Sequence, residues 1–91
     1  HAVTGRAARQ LVVRFREAPE AAVPAIVEGM RSAFEGRSAV TQVRVFACPA
    51  GDTLDVFGVV ETCEVISDQF DTAVFGEAAR LIDLVNVYAN Y

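Results

Sequence analysis

Residues 39–63 read AVTQVRVFACPAGDTLDVFGVVETC, two β-rich runs on either side of the turn chemistry of Pro49-Ala50-Gly51-Asp52. They predict a β-hairpin. With Cys48 opposite Thr53, Ala47 faces Leu54, Val45 faces Val56, Val43 faces Gly58 and Thr41 faces Val60, which makes one side almost wholly apolar. The other side pairs Phe46 with Asp55, Arg44 with Phe57, Gln42 with Val59 and Val40 with Glu61, and is mixed.

On the N-terminal side, Gln10 to Arg16 alternates strictly, with Leu11, Val13 and Phe15 on one face and Val12, Arg14 and Arg16 on the other. That is the period-two pattern of a strand. Ala18-Pro19-Glu20 then opens a helix in which Val23, Ile26, Val27, Met30, Ala33 and Phe34 form the apolar stripe and Gly36 supplies the stop. Pro24 is tolerated near a helix start, with the true start displaced by as much as a turn.

On the C-terminal side, Ser67 reads as an N-cap, with Asp68 and Asp71 in the first turn. Phe70, Val74, Ala78, Leu81 and Ile82 make the stripe of a second helix, which Asp83 ends. Leu84 to Tyr91 alternates again, with Val85, Val87 and Ala89 on one face and Asn86, Tyr88 and Asn90 on the other, a fourth strand. A helix running on through Val87 is the competing reading. The order β-α-β-β-α-β, with right-handed crossovers, predicts a ferredoxin-like α+β sandwich: a four-stranded antiparallel sheet with two helices on one face. Residues 1–9, small and basic, read as a flexible linker, and residues 10–91 as a single domain.

The chain's 91 residues suffice for one domain and exclude a multidomain or large-cofactor enzyme. Hydrophobic residues at 53% and charged residues at 22% argue against disorder. The net charge of −4 argues against a nucleic-acid binder held by phosphate neutralisation. It is unevenly placed: residues 1–44 hold seven Arg against four Glu (+3), and residues 45–91 hold one Arg against eight acids (−7). Lysine is absent, which reads as the base composition of a source genome. No apolar window of membrane length and no leader pattern occurs, so the piece is expected to be soluble and cytoplasmic. It begins at His1 and has its only Met at position 30, as expected of an excised or processed chain. A membrane enters only through flanking sequence, beside which the basic first nine residues would sit well.

Little in the chain suggests catalysis. Cys48 and Cys63 lie too far apart in the hairpin for a disulfide and read as free thiols of a reducing compartment. The one His is His1, and no Cys-x-x-Cys or His-x-x-x-His spacing occurs, so neither a metal nor a cofactor is expected. Glu61, Glu64, Asp68 and Asp71 read as solvated charge leading into a helix N-terminus. There is no nucleophilic triad and no glycine-rich phosphate loop. Asp55 and Glu61 project from the non-helical face. Asp55, placed beside Phe46, invites a raised pKa, but an ordinary charge in water is the plainer account.

Function is carried instead by the non-helical face: Val12, Arg14, Arg16, Val40, Gln42, Arg44, Phe46, Phe57, Val59 and Tyr88. Helices on one side of the sheet leave its apolar members in water, so something should cover them. In the first covering, a second copy or another protein docks there, with Arg14, Arg16 or Arg44 against Asp55 or Glu61 of the partner. At the level of element order this resembles small regulatory modules of the ACT type. That resemblance implies paired units with a small-molecule effector at their interface, although Glu17-Ala18-Pro19-Glu20 stands where that family carries a glycine.

In the second, two sheets enclose an apolar pocket, an order similar to that of dimeric α+β barrel proteins, which include cofactor-free monooxygenases. Phe46, Phe57, Val12 and Val59 would line that pocket, and Arg14, Arg44 or Tyr88 would orient a substrate. In the third, single-stranded RNA stacks on the face. Leu54-Asp55-Val56-Phe57-Gly58-Val59 offers one aromatic and an acid where RNA-recognition strands carry a basic residue and alternating aromatics. Nucleic acid is therefore not expected as a partner. The favoured expectation is a non-enzymatic regulatory or interaction domain, a homodimer or a module docked on a partner.

Overall fold

The computed structural model describes residues 9–64, 66 and 69–89. Its elements are β1 (Arg9–Ala18), α1 (Val23–Phe34), β2 (Val40–Ala50), β3 (Thr53–Thr62) and β4 (Ile82–Ala89). A 3₁₀ turn, Glu20–Ala22, precedes α1, and a 3₁₀ segment, Thr72–Leu81, leads into β4. The strands form one open antiparallel sheet in the order β2-β3-β1-β4. The architecture is a small α+β fold. Its core lies between one face of the sheet and the helical elements, where Leu11, Val13 and Phe15 of β1 meet Ile26, Met30 and Phe34 of α1 with Val56 and Val60 of β3.

Pro24 does move the helix start, because α1 begins at Val23 with the proline in its first turn, where a missing N–H costs nothing. The Ala18-Pro19-Glu20 stretch begins only the 3₁₀ turn: Ala18 still belongs to β1, and Pro19 flanks the turn in extended geometry. At the other end, Glu35 is extended and Gly36 takes φ 91°, the left-handed conformation that glycine adopts cheaply.

The second helical element departs from the expected α-helix. It is a pair of 3₁₀ turns joined across Gly76, whose φ of 60° and ψ of −134° lie outside helical space. Its cap is Asp71, whose carboxylate accepts the Ala73 N–H at 3.0 Å, and Ser67 lies outside the described residues. Aromatic packing anchors this short segment. Phe75 meets Phe15 edge-on at 5.0 Å and Phe70 at 6.0 Å, and Phe70 meets Phe34 at 5.2 Å. The Phe75 ring sits so close to Gly29 of α1 that any Cβ there would fall 2.2 Å from it. Ile82 belongs to β4, whose pairing with β1 rules out the helix running on through Val87.

The hairpin forms with a two-residue turn, Gly51-Asp52, so Ala50 pairs with Thr53 and Cys48 with Asp55. The register is therefore two residues away from the one expected from sequence. Pro49 is the reason: it needs no N–H partner on an edge strand, so β2 continues through it. Gly51 takes the required positive φ of 68°. Because side chains alternate with period two, a slip of two leaves the faces of the hairpin core as expected.

Three irregularities do change faces, one of them in β4, where Arg14 pairs with Leu84 and Phe15 with Ile82, leaving Asp83 as an extra residue. Val40 pairs with Thr62 and Gln42 with Glu61, leaving Thr41 as an extra residue, and this turns Val40 onto the core instead of the open face. In β1, Arg16 and Glu17 together oppose Asp55, a bulge in which Glu17 takes φ 55°. Among the described residues, no helix is long and apolar enough to cross a membrane.

Candidate interaction face

The strand registers set the side chains of the uncovered face in rows across the sheet. One row runs Phe46, Phe57, Arg14, Leu84 from β2 to β4, and the next runs Arg44, Val59, Val12, Asn86. A third pairs Gln42, Glu61 and Gln10 with the position of Tyr88, whose side chain lies outside the described residues. Above the first row, toward the hairpin turn, are Cys48, Asp55 and the bulge carrying Arg16. The rows bring Val12, Arg14, Arg44, Phe46, Phe57 and Val59 together as expected and leave Val40 out.

Exposure across the face is uneven. Val59, central and flanked on both sides, is only 9% exposed, whereas Phe46 and Leu84, on the two edge strands, are 46% and 45% exposed. These two are the exposed large hydrophobics among the described residues. Leu84 was not among the candidates from sequence, although its parity with Asn86 already placed it on this face.

The cations of the face are paired within the chain, not held for a partner. Arg14 donates to Asp55 at 2.8 Å and reaches Asp83 at 3.4 Å, and Arg44 donates to Glu61 at 2.6 Å. Arg16, exposed at the bulge, lies 3.6 Å from Glu17. Each of the two inner guanidiniums also covers a ring: Arg14 lies 5.9 Å from the Phe57 centroid and Arg44 lies 5.1 Å from that of Phe46. Their Nε atoms are shielded from solvent and have no hydrogen-bond partner among the described residues, as expected of guanidiniums lying flat on the sheet.

The hydrogen bond from Arg14 holds the Asp55 carboxyl below the usual carboxylate range, helped by the Arg14 charge and the Glu17 amide and opposed by desolvation. Asp55 is thus neither the raised carboxyl weighed from sequence nor the ordinary charge in water favoured there, but half of an ion pair. The register gives Asp55 to Cys48, not Phe46, and Arg14 reaches it across the sheet. Reciprocally, that hydrogen bond raises the Arg14 pKa.

The acidic cluster expected between Glu61 and Asp71 is divided among other tasks, since Glu61 serves Arg44 and Asp71 caps the 3₁₀ segment. Among the described residues, no group of three or more His, Cys, Asp or Glu is placed to hold a metal. Cys48 is exposed on the open face. Cys63, also exposed, lies past the far end of β3, where its N–H donates to the Ala39 carbonyl. A shallow depression of about 370 Å³ opens beside the β1 bulge, lined by Arg16, Glu17, Arg80, Leu81, Ile82 and Asp83. It lies at the end of the sheet, away from the apolar residues of the face.

Chemically, the face offers two exposed apolar edges around a neutralised, half-buried centre. Asp55 is ion-paired with Arg14 and Glu61 with Arg44, and the Cys48 thiol stands exposed beside them. The faces of Phe46 and Phe57 that a nucleobase would stack on are partly taken by guanidiniums. Comparison with protein-family models, curated proteins and solved structures gave no match to the chain.

Proposed function

We propose that this protein is a non-enzymatic interaction module of ferredoxin-like topology that works by docking through its open sheet face. The strand order β2-β3-β1-β4 and the helical crossovers support the topology. The observation that carries the function is the pairing of Phe46 and Leu84, each nearly half exposed, at opposite ends of one cross-strand row. Large apolar side chains left in water at both margins of a flat surface are characteristic of contact surfaces. The charges between them are already paired, so covering the face strands no free ion. A regulatory role, with a small effector bound where the face meets its partner, extends this reading.

The two cysteines supply the test, because one lies on the face and the other does not. Alkylation rates of Cys48 and Cys63 are followed by mass spectrometry as the protein is concentrated. Docking through the face slows Cys48 relative to Cys63, and Phe57→Arg abolishes the difference. Equal protection of the two thiols over concentrations at which light scattering shows the chain associating refutes the proposal.

A further inference from the structure

We infer that the face is covered by a second copy of this chain, related by a twofold axis parallel to the strands, so that Phe46 of each copy packs over Leu84 of the other. The inference rests on the docking reading above and makes it specific. A twofold axis lying in the interface along the strand direction reverses the order of strands and keeps position along them, so each row meets its own reverse. The row Phe46-Phe57-Arg14-Leu84 then sets Phe46 against Leu84 and Phe57 against Arg14, each contact occurring twice. The neighbouring row sets Val59 against Val12 and Arg44 against Asn86. Apolar groups meet apolar groups, each cation meets a ring or an amide, and no like charges oppose.

The alternative axis, perpendicular to the strands, fails on the same rows. Centred on the first, it opposes Arg14 to Arg14. Centred between the two, it presses Arg14 onto Val12 and Leu84 onto Asn86, setting polar groups against apolar ones. Charge also weighs against a polyanionic occupant. Arg14, Arg16 and Arg44 stand against their ion-pair partners Asp55, Asp83, Glu17 and Glu61, so the paired groups of the face sum to −1 and most of the chain's net −4 resides elsewhere. A polyanion gains nothing on such a surface, and a face-to-flank contact sets exposed apolar residues against acidic ones. Face-to-face pairing, with the sheets about 10 Å apart, keeps both excess charges outside.

The axis makes a mixed-chain experiment decisive. Phe46→Arg and Leu84→Glu are each placed at exposed positions, where folding is checked by circular dichroism. Each change enters a twofold interface twice and is expected to weaken dimerisation by about a hundredfold, read by light scattering over a dilution series. Mixed in equal amounts, the two variants form a heterodimer with one native Phe46–Leu84 contact and one Arg–Glu contact, restoring association to within about tenfold of the original. Two monomeric variants that stay monomeric when mixed overturn the axis and leave docking through the face standing. A dimer that survives both substitutions uses another surface and overturns the docking reading as well. An unsubstituted chain that is monomeric at every concentration overturns the second copy as occupant.

Discussion

The two faces of β1 and β3 are built from alternate residues of the same strands, yet they do different physical work. On the helix side, Leu11, Val13, Phe15, Val56 and Val60 are fully buried, and each contributes on the order of 1.5–3 kcal/mol through lost contact with water. On the open side, Val12, Arg14, Asp55 and Phe57 remain partly in contact with solvent, held in order by ion pairs and guanidinium–ring contacts. One face supplies cohesion. The other holds its charges in cross-strand ion pairs, at little cost or gain in stability.

Substitutions should separate the faces by size of effect. Phe15→Ala, which also removes the edge contact to Phe75, is expected to cost about 3–5 kcal/mol in chemical denaturation. A loss no greater than that at an open-face position would end the distinction. Gly29→Ala pushes a methyl group into the Phe75 ring and should destabilise by about 1–3 kcal/mol, since both partners are buried and neither can retreat.

Smaller effects belong to the open face and depend on pH. Asp55 has a folded pKa below its unfolded value, so its stabilisation is present above the ordinary carboxylate pKa of about 3.9 and is lost as pH falls through the lower folded value. Asp55→Asn should therefore flatten this part of the acid limb, measured as the urea midpoint at neutral pH and at successive acid values. An unchanged acid limb would mean the Arg14–Asp55 pair does not persist in solution. Smallest is Phe46→Ala, expected to shift unfolding by less than about 0.5 kcal/mol while association weakens measurably. A large shift would place Phe46 in the core.

Strand alternation was the most legible part of the fold, because period two survives a wrong register: Phe46, Phe57, Arg14 and Val59 share a face whether the hairpin turns at two residues or four. The turn length was hidden by Pro49, which marks turns in most settings but continues an edge strand here. Val40 was misplaced because one bulge residue, Thr41, reverses everything beyond it and has no signal of its own. The second helix looked α-helical because its apolar spacing fits that period. Gly76 and the Phe75–Gly29 contact settle it otherwise, and that contact is tertiary. The charge lattice was half legible. Its arginines and acids were named, but their mutual capture within one chain depends on the cross-strand order of the whole sheet.

The β2 edge bears on what this protein avoids. Strands at sheet margins are templates for the growth of open-ended aggregates, and this one is interrupted near both ends, by the Thr41 bulge and by a proline with no N–H to offer. Ladder-wise addition of further chains along β2 is thereby blunted. Contact across the flat of the sheet closes after two copies, whereas contact along a margin has no natural end.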